Sequence, residues 1–219
     1  MIGLRSRFLL FFFFLSVATL YAYDDGDFQI WHTEAQEMEI NQKWKVAANQ
    51  EFRWGDDASE LYYQHYELGL VYALNKNLDL GLNYRQILER DSKKKFRQEN
   101  MPNIYGTLKW SLFGFKFDDR NRLEYRNFET KNAIWRYRNK FNVKLPWKFT
   151  RFEIQPYLAD EIFINFNSTG FNRNRFYSGF GISLTKNLKG EIYYLLQSTD
   201  SSGTWIKANV LGSKFKLVF

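Results

Sequence analysis

The sequence has no cysteine and only two histidines, His32 and His65, among its 219 residues. The absence of cysteine excludes disulfides and thiolate metal sites, and two histidines are too few for most histidine-based metal centres. After residue 23 no apolar run reaches the roughly 20 residues that a membrane-spanning helix needs. We therefore expect no metal and no cofactor, and any integration into a membrane would have to use strands.

Large aromatic rings are abundant, although the chain is polar on average. Phe, Tyr and Trp make up 20% of the residues, while the mean hydropathy is −0.50. Soluble cores are rarely built in this way. A β-barrel in lipid turns apolar side chains outward and polar side chains into its lumen, which accounts for both values. Nothing in the composition marks an internal boundary, so we expect one domain.

The first residues have the pattern of a secretory signal. Arg5 and Arg7 precede the apolar stretch 8–15, and small residues follow it. This arrangement of a charged and an apolar region is typical of a signal peptide, and the apolar part is shorter than a membrane helix. We predict a signal peptide over residues 1–22 and an outer-membrane β-barrel domain over residues 23–219 of a protein from a Gram-negative bacterium.

The net positive charge does not point to nucleic acid. Without Arg5 and Arg7 the chain has 29 lysine and arginine residues against 24 aspartate and glutamate residues, a balance of +5. The basic residues alternate with aromatic residues and carboxylates, and no basic run is longer than Lys93-Lys94-Lys95. Nucleic-acid binding depends on clustered cations that neutralise phosphates. We therefore expect no nucleic-acid partner.

Hydrophobicity alternates with period two along most of the chain. Between Trp44 and Trp54 one face reads Trp44, Val46, Ala48, Gln50, Phe52 and Trp54, and the other reads Lys45, Ala47, Asn49, Glu51 and Arg53. Residues 78–89 and 133–145 show the same division. Strict alternation is the pattern of β-strands. The sequence therefore predicts an all-β fold, an antiparallel transmembrane β-barrel of about 10 to 12 strands.

The weakest alternation lies in residues 28–40. Here Ile30 and Met38 share a face with His32, Glu34 and Gln36, and such a face is costly against lipid. Counting this segment gives about eleven strands, whereas single-chain bacterial barrels usually have an even number. We therefore favour ten strands, with twelve as the alternative. The segment itself would lie inside the barrel or at a shielded edge.

Connections between the predicted strands alternate in length. Short ones occur at 41–43 and 75–77, for example, and longer polar ones at 90–101, 165–172 and 199–203. Short turns on one side and longer loops on the other distinguish the periplasmic and extracellular ends of outer-membrane barrels.

Aromatic residues on the apolar faces fall near the predicted strand ends. A barrel in a bilayer places amphipathic rings at the two interfaces. Tyr62, next to a predicted long loop, is assigned to the same outward set. The predicted aromatic girdles comprise Trp44, Trp54, Tyr72, Tyr84, Trp110, Tyr125, Trp135, Trp147, Tyr194 and Trp205. A soluble sandwich or lipocalin-like barrel, the alternative, would turn its apolar face inward and would not need this placement.

The last strand ends on an aromatic residue. Phe215, Leu217 and Phe219 share the predicted lipid face, and this ending resembles the signal that the outer-membrane assembly machinery reads. Outer-membrane lipid and this machinery are therefore the partners we expect. The oligomeric state is left open.

Charged residues of both signs occupy the predicted inward face. Long side chains that reach into a small barrel from every strand can close it with a hydrogen-bonded ion network, or they can leave a narrow arginine-rich constriction for small anions. Of these alternatives we favour the plug. The predicted lumen cluster comprises Glu51, Arg53, His65, Glu67, Arg85, Arg120, Arg122, Glu124, Arg126, Arg136, Arg138, Glu153, Glu161, Arg173 and Arg175.

No catalytic residues are predicted. A serine hydrolase would need a serine, a histidine and an acid or amide together, and neither His32 nor His65 has a suitable serine nearby in the sequence. A hydrogen bond in the lumen to Glu67 or a neighbour is the expected role of His65. We therefore expect a structural barrel or a narrow channel for small solutes, not an enzyme. A lipid-modifying enzyme and a soluble periplasmic carrier rich in β-structure are the alternatives.

Several stretches also resemble a family. The resemblance covers nearly the whole chain after residue 23 and lies in residues 123–126 (Leu-Glu-Tyr-Arg), 160–166 (Asp-Glu-Ile-Phe-Ile-Asn-Phe) and 174–181 (Asn-Arg-Phe-Tyr-Ser-Gly-Phe-Gly), and in the pairing of Gln29-Ile30-Trp31 with Lys43-Trp44. These are similar to the recurring motifs of the domain of unknown function 2490 family. The resemblance implies an exported β-barrel and brings no reaction, cofactor or catalytic residue with it.

Overall fold

The computed structural model describes residues 25–167 and 169–219, so the predicted signal peptide lies outside the described residues. Eleven strands fill the described chain: β1 Asp27–Glu39, β2 Trp44–Gly55, β3 Glu60–Asn75, β4 Leu78–Arg90, β5 Phe96–Leu112, β6 Phe115–Phe128, β7 Ile134–Lys144, β8 Gln155–Asn165, β9 Gly170–Ser183, β10 Leu188–Ser201 and β11 Thr204–Val218. No helix in this part of the chain has the length and hydropathy needed to cross a membrane.

The eleven strands form one closed barrel in which each strand pairs with the next along the chain. All of these pairs are antiparallel, and β1 closes the barrel against β11 in a parallel ladder from Asp27↔Ala208 to Glu37↔Val218. The predicted all-β barrel is thus confirmed. The preference for ten strands was wrong, because an odd number closes when the first and last strands run in the same direction. Residues 28–40 supply β1, a strand of the wall.

The parallel seam sets the two ends of the barrel. Asp25 lies at one end, together with the turns that follow β2, β4, β6, β8 and β10, and Phe219 lies at the other. The predicted long loops are short, because β5 begins at Phe96 and the connection before it is only residues 91–95. The longest connection, residues 145–154, lies at the Phe219 end, where short turns were expected.

Two of the two-residue connections have positive φ at both residues. Phe113 and Gly114 have φ angles of 49° and 81°, and Ser202 and Gly203 have φ angles of 55° and 90°. Positive φ at both central residues is the geometry of a type I′ turn, which matches the twist of the strands it joins. Glycine supplies the second position of each turn without a steric penalty.

The core of the molecule is the lumen. In β1 to β5 the odd-numbered residues point inward, and in β6 the even-numbered residues do. The most buried side chains are those that point inward. Apolar residues cover the outside: Leu68, Leu82 and Ile104 are 61%, 58% and 55% exposed. The distribution is thus the reverse of a soluble barrel, with charges inside and apolar side chains outside.

Candidate functional site in the barrel lumen

Most of the predicted lumen charges point into the barrel, and two acidic side chains lie at the centre of their ion pairs. Glu124 accepts hydrogen bonds from Arg136 Nε at 2.6 Å and lies 3.5 Å from Arg138 Nη1. Arg138 Nε also donates to Glu161 Oε1 at 2.5 Å. Glu124 and Glu161 are 0% and 1% exposed. One arginine therefore links two fully buried carboxylates on different strands.

Other carboxylates extend this network around the wall. Glu51 pairs with Arg53 at 2.5 Å, and Glu67 accepts from Arg85 Nε at 2.7 Å. Glu99 binds Arg126 through two hydrogen bonds of 2.6 and 2.7 Å. Bidentate arginine–carboxylate pairs of this kind are among the strongest and most directional of hydrogen-bonded contacts.

Aromatic rings fill the space between these ion pairs. The guanidinium of Arg53 lies 3.8 Å from the centre of the Trp31 ring, and that of Arg175 lies 4.7 Å from it. Arg136 and Arg175 also stand over the Phe163 ring, at 5.3 and 4.9 Å. The rings provide faces that attract the same cations beside their ion pairs.

The lumen is closed toward the Asp25 end. A water-filled channel would leave inward side chains exposed along its full length, but every strand contributes one that is no more than 8% exposed. In chain order these residues are Trp31, Arg53, His65, Arg85, Met101, Glu124, Arg136, Phe163, Arg175, Leu195 and Val210. We call this set the plug.

The Phe219 half of the lumen is open. A cavity of about 530 Å³ extends from Trp31 and Arg85 to the connection at Lys148. Its lining includes twelve lysine and arginine residues against six aspartate and glutamate residues, a formal balance of +6. We call this cavity the cationic cup.

Like charges face each other across β6 and β7 in the cup. Lys116 is opposite Lys144, Arg120 is opposite Lys140, and Arg122 is opposite Arg138. Directly opposed like charges destabilise a sheet. Among the described residues, none of Lys116, Arg120, Lys140 and Lys144 has a carboxylate oxygen within 4.0 Å. We call these six residues the cation ladder.

Arg122 is the least satisfied member of the ladder. It is 6% exposed, and its Nε and Nη1 have no hydrogen-bond partner in the described part of the protein. Its carboxylate contact is to Glu124, at 3.6 Å. Lys140 next to it lies 3.6 Å above the Tyr177 ring. Both side chains line the cup, so unpaired positive charge is concentrated on one side of the cavity.

The comparisons with known proteins agree with the resemblance in the sequence. A family model described as protein of unknown function (DUF2490) matches residues 28–207. The chain belongs to the DUF2490 family. No match was found among curated proteins. In this DUF2490 barrel, the stretches that carry the resemblance contribute Trp31, Glu124, Glu161 and Arg175, all of which are buried in the lumen.

Glu153 does not lie where the sequence placed it. It belongs to the connection 145–154 of the DUF2490 barrel, where it is exposed at the mouth of the cup. Positive φ at Thr150 and Glu153 turns the chain there and delays the start of β8. The Lys148 ammonium, 2.9 Å away, donates a hydrogen bond that lowers the pKa of Glu153.

His65 hydrogen-bonds to neutral partners, and the Glu51 carboxylate lies 3.8 Å from its Nδ1. Its Nε2 lies 2.9 Å from Asn49 Oδ1, and its Nδ1 lies 3.1 Å from the Tyr63 hydroxyl. Glu67 is instead bound by Arg85 and two asparagine amides. Among the described residues, no group of three or more histidine, aspartate or glutamate residues is arranged to hold a metal ion.

The predicted girdle residues are on the outer wall. Trp44 packs on Tyr72 with ring centres 4.8 Å apart, and Tyr125 packs on Trp135 at 5.0 Å. Trp54, Trp110, Trp147 and Trp205 are also outward or at a rim. Tyr84 and Tyr194 lie near the middle of their strands, because β4 and β10 extend to Arg90 and Ser201.

Tyr62 was wrongly assigned to the outward set. A register shift between Arg53 and Trp54 turns its ring inward, where it is 6% exposed and its hydroxyl lies 2.8 Å from Gln29 Oε1. Other lumen residues were missed altogether, among them Trp31, Glu99 and Phe163. The segment around Glu99 is polar on both faces, so its hydrophobicity does not alternate and no strand is predicted there.

Proposed function

We propose that this protein is an outer-membrane β-barrel that conducts no solute and that holds small anions in the cationic cup. The signal peptide over residues 1–22 would export it, and the Phe219 end would face the periplasm. The anions that fit the chemistry carry phosphate or carboxylate groups, since both are recognised by arginine and lysine.

The outer wall supports a place in the bilayer. Exposed apolar surface on this scale is unusual for a soluble protein and is required of a surface in contact with lipid. The charged lumen argues against a soluble carrier, which would present its apolar face inward.

We expect the chain to fractionate with the outer membrane and to migrate faster on a gel before heating in detergent than after it. A barrel held together by ladder hydrogen bonds on all sides resists detergent until it is heated. The purified barrel should give a flat current trace in a planar bilayer, because the plug leaves no open path. Recovery in the soluble periplasmic fraction would contradict the membrane assignment, and stepwise currents would contradict the closed lumen.

The anion-binding role rests on the cation ladder. Six basic side chains on two neighbouring strands face one cavity, and four of them have no carboxylate within 4.0 Å among the described residues. Repulsion between them is relieved when an anion enters. The buried guanidinium of Arg122, whose Nε and Nη1 have no hydrogen-bond partner among the described residues, adds positive charge at the inner side of the cup.

Replacing Arg120 and Lys140 together by glutamine should weaken anion binding. Two cations that face each other across β6 and β7 would be lost, and each contributes a charge-assisted hydrogen bond or a point charge. We would measure titration heats with inorganic phosphate and with citrate, and expect at least a tenfold loss of affinity. The Lys93→Gln, Lys95→Gln double variant removes the same charge from an exposed turn and should bind as wild type.

The outcome of this titration is decisive in either direction. An equal loss of affinity in the cup variant and the turn variant would mean that anion binding depends only on the net charge of the protein. Absence of heat with wild type at millimolar phosphate and citrate would overturn the anion-binding role.

Deleting Phe219 should prevent insertion and leave unfolded protein in the periplasm. We propose that the terminal aromatic and the outward Phe215 and Leu217 are read by the assembly machinery. Phe219 is also tied to β1, since its N–H donates to Glu37 O at 2.9 Å. Phe113→Ala, which removes an 88% exposed ring at the same end, is the control and should insert normally. Wild-type levels of inserted protein after the deletion would show that this strand is not the signal.

A further inference from the structure

A strip of polar side chains faces outward where the barrel closes. His32, Glu34 and Gln36 are on the outer side of β1, and Ser213 of β11 is the register partner of His32. Ionisable groups on a lipid-facing wall are energetically costly, so packing of the barrel wall does not by itself explain why these polar residues face outward.

Three of these groups are arranged as a nucleophile, a base and an orienting acid. Ser213 Oγ lies 2.9 Å from His32 Nδ1. The other ring nitrogen, Nε2, lies 3.6 Å from Glu34 Oε1. The Gln50 amide donates to Glu34 Oε2 at 2.5 Å and fixes that carboxylate. A hydroxyl within hydrogen-bond reach of a histidine, with a carboxylate on the far side of the ring, is the geometric signature of an activated nucleophile.

A groove adjoins this group on the outer wall. It has a volume of about 370 Å³ and lies across β1 to β4. The small side chain of Ala48 deepens it, Leu68 and Tyr84 give it an apolar wall, and Glu34 and Gln50 stand at its edge. The groove can hold an acyl chain, and it meets the group at Glu34. His32 and Ser213 are not part of its lining, so the ester linkage would extend past Glu34 to reach Ser213.

We propose that Ser213, His32 and Glu34 form an esterase site that acts on the acyl esters of membrane lipids from the outer wall of the barrel. Ser213 and His32 are the catalytic residues, and Glu34 is a positioning residue. The proposal rests on the membrane placement in the proposed function and is independent of the cationic cup.

The reaction balances with water as the second reactant. Ser213 Oγ attacks the ester carbonyl while His32 accepts the hydroxyl proton. The bond from the carbonyl carbon to the alcohol oxygen breaks, and His32 returns the proton to that oxygen. Water, deprotonated by His32, then attacks the acyl-serine. The bond from the carbonyl carbon to Ser213 Oγ breaks, His32 returns the proton to Oγ, and a fatty acid is released. The products are a lysolipid and a free fatty acid.

Two probes test the site in the full-length barrel. One is a fluorophosphonate, which forms an adduct with activated serines, and the other is phosphatidylcholine with a fluorescent acyl chain in mixed micelles. We expect an adduct on Ser213 and release of the labelled fatty acid. Ser213→Ala should remove both signals, and His32→Ala should lower the rate by about 100-fold to 10,000-fold.

The outward Ser178 of β9 is the matched control. Ser178→Ala removes a serine from the same wall and should retain the adduct and the activity. For the positioning role, Glu34→Ala should lower kcat with little change in KM, and Glu34→Asp should retain more of kcat. A purely structural role for Glu34 would change both parameters or neither.

Folding is followed in parallel by the heat-dependent gel shift. A barrel that shows the shift but is neither labelled nor active overturns the esterase and leaves the membrane placement standing. Activity that survives in Ser213→Ala also overturns it. A chain without the shift, recovered as soluble protein, would instead overturn the membrane placement.

Discussion

Replacing Glu124 by glutamine should lower the free energy of unfolding by about 3 to 5 kcal/mol, the usual cost of leaving buried charges without their partner. Glu124 is fully buried and is the carboxylate shared by Arg136 at 2.6 Å, Arg138 at 3.5 Å and Arg122 at 3.6 Å. Glutamine keeps the shape of the side chain, removes the charge and replaces one acceptor oxygen with an NH2 donor. The guanidinium groups of Arg122, Arg136 and Arg138 would then repel one another around an uncharged amide.

Urea titration of the folded barrel in detergent, followed by tryptophan fluorescence, measures this loss. Glu153→Gln is the control, because it breaks an exposed ion pair with Lys148 at the rim and should leave the transition unchanged. Equal stability of Glu124→Gln and wild type would mean that the arginines find other partners, and the plug would not depend on Glu124.

Substituting Gly212 by alanine should destabilise the barrel by about 1 to 3 kcal/mol through overpacking. A Cβ at this position would lie 2.1 Å from the Tyr193 ring, which occupies the space above the glycine. Tyr193 cannot swing away, because it is 8% exposed and packs against Tyr177 with ring centres 5.6 Å apart. Glycine within a strand commonly marks such a close approach.

Gly106→Ala tests whether the effect comes from contact alone. This glycine also lies within a strand, but its added Cβ would meet nothing closer than 3.8 Å, so we expect little change. Combining Gly212→Ala with Tyr193→Leu should recover part of the loss, since the smaller side chain vacates the space. Additive losses in the double variant would contradict the steric account.

Alternation with period two was sufficient to predict the barrel and the direction of most side chains. It placed Arg136 and Glu161 inward and Trp135 outward, because adjacent residues of a strand must point to opposite faces. It failed where both faces are polar, as between Phe96 and Met101, and there it placed the start of β5 too late. It also failed at Tyr62, where one irregularity in the pairing of β2 and β3 reverses the faces.

Contacts across the seam could not be read from the sequence. His32 and Ser213 are 181 residues apart, and they meet only because the barrel closes with eleven strands. The search for a serine near either histidine in the chain therefore missed this pair. The cation ladder was missed for a related reason, since alternation places a side chain on a face but does not fix which residue lies opposite.

The parallel seam also means that the wall is completed by β11, which is synthesised after the ten other strands. Asp27 to Glu37 pair only with β2 and with the final strand, so a chain truncated before residue 208 would have two open edges. Unpaired backbone N–H and C=O groups are not tolerated in the hydrocarbon of a bilayer, and in water they invite aggregation. If the barrel lies in the outer membrane, as we propose, chains cut short by proteolysis or by early termination would be excluded from the bilayer by their own backbone, without a separate proofreading step.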